Sequence, residues 1–181
     1  IEDRTVPIVA AYDLPAEPGG TENGDIVVSG VVLNPTIGMK TTRIDSMVVK
    51  TTADARNVNA HFSPGAMILG QIQVILHSED LARKGLQIDD GLLRVAQVKR
   101  TMYMAIVLGR AEDLLKTEVT VAPDIGFYLL GLLNGAQRRT FLPAITMHNF
   151  QVNATTTGKN PIIPIIKAEE GRIRIVGTGI F

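Results

Sequence analysis

The chain of 181 residues carries 18 Lys+Arg against 18 Asp+Glu, so its formal charge is zero, and 45% of it is hydrophobic. That composition excludes a largely disordered chain, and the missing positive field argues against a nucleic-acid partner. With no cysteine there is no disulfide, no thiolate metal site and no thiol nucleophile. The length predicts one domain over residues 1–181, large enough to bury a core without staples. The opening Ile1-Glu2-Asp3-Arg4, which lacks an initiator Met, and the strand-like close at Arg172–Phe181 are what an excised domain would show. No run of roughly 18–20 apolar residues occurs, so no bilayer-spanning helix is expected, and no signal peptide is visible.

Val6–Tyr12 reads as a first strand, with Pro7 tolerated near its start. Leu14–Gly24, rich in Pro, Gly and acids, reads as a loop. The β-branched run Asp25–Leu33 predicts a buried second strand ended by Asn34-Pro35, and Ile44–Val49 a short third one. A helix is expected over Thr52–Ala60, capped by Thr51 or Thr52 and broken at Ser63-Pro64-Gly65. Gln71–Leu76 is the next strand. Ser78 is placed to cap a short helix over Glu79–Lys84, which has acids in its first turn, bases in its last and Gly85 after it.

Asp89-Asp90 with Leu92, Leu93 and Val95 suggests a further helix, Met102–Leu108 a strand closed by Gly109, and Ala111–Leu115 a helical turn or two. Pro123 suits a first helical position, and the helix over Ile125–Leu133 is expected to end at Asn134-Gly135. Ala144–Val152 reads as a short helix and Thr155–Gly158 as loop. Ile162–Ile166, interrupted by Pro164, and the alternating Arg172–Val176 are closing strands joined by a turn at Glu169-Glu170-Gly171. The order predicts an α+β fold: a mixed β-sheet flanked by several short helices on at least one face, closing with a C-terminal strand pair.

Reactive centres are hard to build from these residues. His61, His77 and His148 have no metal-ligand spacing. In His77-Ser78-Glu79-Asp80 neighbours rarely converge on one atom, and the strained turn of a serine nucleophile is missing. Asp89-Asp90 and Glu169-Glu170 sit side by side, where catalytic carboxylates face each other across a cleft. Gly177-Thr178-Gly179 lacks the third glycine of a dinucleotide loop. Arg138-Arg139 and Lys99-Arg100 are isolated basic pairs read as solvated surface, and few aromatics stand ready to stack on bases or sugars. No catalytic residue, metal ligand or cofactor site is therefore expected. The stretch Ile125–Leu133 is apolar on almost every side, so it is either a buried core helix or one that docks its outer face on a partner or membrane surface. Phe127, Tyr128 and Leu132 are the candidate interaction patch.

The succession of segments resembles one family, the C subunits of bacterial spore nutrient-germinant receptors (the GerAC-like, or Ger(x)C, lipoproteins), in their N-terminal domain. Asp3-Arg4 is similar to the start that follows the family's lipidated cysteine, Ile8–Asp13 to a strand ending in Asp, and Val31–Pro35 to a strand ending in Asn-Pro. Thr52–Ala55 sits where the family has a Thr-x-x-x-Ala helix start, a spacing one residue shorter from Thr52 and matched from Thr51. Ile72–Gly85 resembles its strand followed by Ser-Glu-Glu-Leu-Ala and a Gly, and Ala111–Leu115 its Ala-x-x-(Ile/Leu)-Leu turn. Ile163–Ile166 and Ile175–Phe181 resemble the closing segments. Each block is degenerate; their collinear order is the specific feature.

The resemblance implies a non-enzymatic subunit of a nutrient germinant receptor, acting in spore germination as scaffold or signal relay. It implies attachment to the outer face of the spore inner membrane by an N-terminal lipid anchor, integral-membrane A and B subunits as partners, and further C-terminal domains. The alternative from the same segments is a domain that itself binds a small molecule, an amino acid or sugar germinant.

Overall fold

In a computed structural model the described residues are 6–15, 26–33, 42–51, 54, 68–86, 98–139, 142–143 and 145–181. Their strands are β1 (Val6–Asp13), β2 (Ile26–Leu33), β3 (Thr42–Val49), β4 (Val74–Ser78), β5 (Tyr103–Val107), β6 (Ile162–Glu169) and β7 (Arg172–Ile180). Their α-helices are α1 (Glu79–Lys84), α2 (Ala111–Leu115), α3 (Ile125–Arg138) and α4 (Met147–Thr155). The strands form one mixed sheet in the order β3-β2-β1-β4-β5-β6-β7. The central β1, β4, β5 and β6 are parallel, whereas β2, β3 and β7 join antiparallel at the flanks.

The central strands read as near-continuous apolar runs because both of their faces are covered. One face carries Val9, Ala11, Val74, Leu76, Ala105 and Val107 beneath α2 and α3. The other carries Ala10, Tyr12, Ile75, Met104 and Ile106 beneath α1 and α4. The helices thus lie on both faces, which answers the open expectation of at least one. In β1 the register jumps between Pro7 and Val9, so Ile8 is an extra residue and joins the same cluster as Val9. The hairpin β6–β7 closes through Glu170 and Gly171, at φ 47° and 73°, between the paired Glu169 and Arg172. Two successive positive φ values match the right-handed twist of a tight hairpin, and Gly171 adopts one without steric cost.

Several boundaries differ from those expected. The strand expected from Gln71 begins at Val74, because Leu69–Gln71 forms a 3-10 turn whose Leu69 carbonyl accepts from Ile72 N–H at 3.1 Å. Pro123 lies ahead of α3, and Asp124 is the cap: its Oδ1 accepts from Phe127 N–H at 3.0 Å. Asn134-Gly135 does not end α3. Leu133 and Ala136 stay on its buried face, and Asn134 Oδ1 accepts from Tyr103 Oη at 3.3 Å, so packing carries the helix on to Arg138. The helix expected over Ala144–Val152 starts at Met147, where Thr146 caps it, and runs to Thr155. β6 passes through Pro164 without interruption and reaches Glu169.

Thr51 Oγ1 accepts from Asp54 N–H at 3.2 Å, the geometry of a helix cap. The rest of the helix expected from Thr52, its break at Ser63–Gly65, the helix around Asp89–Val95, the loop after Pro15, the Asn34-Pro35 stop and His61 lie outside the described residues.

Gly126 brings α3 onto β1. A Cβ there would stand 3.3 Å from Val9 Cγ2 and 3.4 Å from Ile8 Cγ2. Gly126→Val is expected to lower stability by about 1–3 kcal/mol through overpacking, read as a lower urea midpoint with unchanged slope.

Candidate functional site

The buried polar groups gather where the parallel strands end. Asp13, the last residue of β1, is buried, and its two carboxylate oxygens accept from Ala111 N–H at 2.7 Å and Glu112 N–H at 2.8 Å. It therefore caps α2 from 98 residues away in sequence. Short charge-assisted bonds of this kind are among the stronger ones in proteins. Burial nevertheless pushes the Asp13 carboxyl above its ordinary value; the two N–H bonds and the nearby Arg110 offset only part of that.

Arg110 donates to the Leu14 carbonyl at 3.2 Å and lies 3.4 Å from Glu112. Glu112 Oε1 also receives Lys116 at 3.0 Å and Ser46 Oγ at 3.3 Å. The Lys116 bond first, with Arg110 and Ser46 behind it, holds the Glu112 carboxyl below its usual range. Ser46 Oγ lies 3.0 Å from the buried Ser29 Oγ, so the network ties β2 and β3 to α2.

His77, near the end of β4, is buried and stacks on Tyr12 with ring centroids 5.4 Å apart. Its Nδ1 has no hydrogen-bond partner, and burial lowers its pKa to about 4. The imidazole is thus neutral at neutral pH.

The other singled-out residues take local roles. Ser78 caps α1, accepting from Leu81 N–H at 3.4 Å. Gly177-Thr178-Gly179 lies inside β7, away from any strand-to-helix turn. Glu169 is bonded to Lys167 at 3.0 Å and Arg174 at 2.7 Å, and Lys167 chiefly holds its carboxyl low. Lys99, Arg100, Arg138 and His148 are exposed. Among the described residues no three His, Asp or Glu side chains are grouped to hold a metal, and no helix is long and apolar enough to cross a membrane.

The three patch candidates share α3 but not one surface. Phe127 is 45% exposed. Gly131, four residues on and therefore on the same face, is exposed as well. Tyr128 and Leu132, also four apart, are half-buried against the core under α3. The Tyr128 hydroxyl donates to the Ile173 carbonyl at 3.1 Å and accepts from Ile173 N–H at 3.4 Å, so it is engaged with β7. Asp13 is the residue that composition and spacing missed. The one signal for it is the strand-ending Asp in the resemblance, because its partners lie far away in the chain.

No solved structure matches the chain. The spore germination protein GerQC of Bacillus cereus is 27% identical over 182 aligned positions, which cover 100% of this chain and 49% of that protein. The chain thus spans about half the length of the curated relative it matches. The family described as "Spore germination protein N-terminal domain" matches residues 1–168. A match over so much of the sequence establishes that the chain belongs to the GerAC family of spore germination proteins.

Proposed function

We propose that this domain is a non-enzymatic, protein-interaction module of a nutrient germinant receptor, serving as scaffold or signal relay beside integral-membrane A and B subunits. The observation that carries this reading is the family match over residues 1–168. A lipid anchor at the outer face of the spore inner membrane holds the domain there and raises its effective concentration for those partners. A chain of zero formal charge has no net positive charge to attract it to the surface, so the anchor does that work.

The contact face of this proposal is the outward side of α3, where Phe127 is 45% exposed within the uncharged stretch Ile125–Leu133. Phe127→Asp in the full-length protein is expected to leave stability within about 0.5 kcal/mol, since the side chain is outside the core. It is expected to slow nutrient-triggered germination several-fold. A benzophenone amino acid in place of Phe127 is expected to cross-link to an integral-membrane subunit in intact spores. Wild-type germination by the Asp variant at normal abundance, with no such cross-link, would reject this face.

A further inference from the structure

Among the described residues the outer edge of β7 is guarded over its first half and bare over its second. At Ile173 the Tyr128 hydroxyl both donates to the backbone carbonyl, at 3.1 Å, and accepts from the N–H, at 3.4 Å, so one side chain takes the place of a neighbouring strand. Arg172 and Arg174 flank that point and are exposed, and charge on an edge strand discourages further pairing. From Ile175 to Phe181 the sequence is Ile-Val-Gly-Thr-Gly-Ile-Phe, with neither a charge nor a proline. The pairing with β6 skips Val176, which is 41% exposed, and Ile180 is 70% exposed. Among the described residues no strand lies outside β7. An uncharged, apolar edge of this kind is a template for strand addition.

The occupant follows from where β7 stands in the longer protein. The family describes an N-terminal domain, and its match ends at residue 168, ahead of β7. The aligned part is 49% of the Bacillus cereus relative, so that protein has a comparable length of polypeptide beyond it. A remainder of that kind would begin directly after β7, past the matched domain. We infer that an extended segment following residue 181 in the full-length protein pairs with the Ile175–Ile180 edge as an eighth strand, joining this sheet to the rest of the molecule. Tyr128 sets the limit of that pairing, because its hydroxyl already satisfies Ile173.

Hydrogen exchange on the unmodified full-length protein tests this without any mutation. Amides across Ile175–Ile180, outward-facing ones included, are expected to exchange at least about a hundredfold slower than those of a free edge. A benzophenone amino acid in place of Ile180 is expected to cross-link to a peptide downstream of residue 181 in the same chain. Free-edge exchange rates, a cross-link to a second copy or to another protein, or no cross-link within the chain would each overturn the inference.

Discussion

Replacing His77 with leucine is expected to flatten the fall of stability between pH 6.5 and pH 4. Burial lowers the imidazole pKa from 6.5 to about 4, so within this interval the unfolded chain binds a proton that the folded chain refuses. The stabilisation is fully present above pH 6.5 and is lost as pH falls through the folded value. At 1.36 kcal/mol per unit, the interval represents about 3 kcal/mol, of which about 2 kcal/mol falls between pH 6.5 and pH 5. That upper part is the informative one, because the carboxylates held low, Glu112 and Glu169, begin to act only below their ordinary 4.5. At neutral pH the change itself is expected to cost little. It forfeits the stack on Tyr12 but also removes a buried Nδ1 that has no partner. Urea midpoints measured from pH 7.5 to 4.5 check this. Parallel curves for the wild type and His77→Leu would show that the imidazole titrates alike in both states.

Asp13→Ala is expected to cost about 3 kcal/mol at neutral pH, the range for stripping the partner from buried hydrogen-bond donors. The alanine leaves Ala111 N–H and Glu112 N–H without their acceptors at 2.7 and 2.8 Å. Ala111 is buried, which restricts how far water can take the place of the lost carboxylate there. The damage is local, and the amides at the start of α2 should therefore gain more exchange than those of α4 on the opposite face. A loss below about 1 kcal/mol would mean that α2 finds another cap. Asp13 plays a different part in acid from its neighbour Glu112. Burial raises its carboxyl, so protonation there does not drive acid unfolding; any stability linked to it is largest below its ordinary 3.8 and declines as pH rises through the folded value. Among the described residues, the groups whose titration opposes folding in acid are His77 and, below 4.5, Glu112 and Glu169.

Much of the local structure is readable because its causes are local. Ser78 with acids behind it and Gly85 ahead specifies α1 within one short stretch. Glu170-Gly171 specifies the final hairpin in the same way. The boundaries that moved are those decided by packing. Asn134-Gly135 is a stop signal by composition, yet the buried Leu133 and Ala136 on either side keep α3 wound against the sheet. Gln71 looks like strand, yet the 3-10 turn at Leu69 delays β4 to Val74. Phe127, Tyr128 and Leu132 could be named as candidates from apolarity. Which of them faces outward could not, because a helix apolar all round carries no polar stripe to mark its solvent side.

Sequence alone determined the order of strands and α-helices over the described residues, the lack of cysteine among these 181 residues and, through the order of degenerate blocks, the family. Each of these rests on neighbouring residues or on composition, where a few side chains decide the outcome. Tertiary structure alone decided the strand order, the cover on both faces, the bond of Asp13 to a helix 98 residues away, and the hydroxyl of Tyr128 on the edge of β7. Those are pairings between segments remote in the chain. Their free energy comes from burial shared by two partners, and a linear reading sees only one partner at a time.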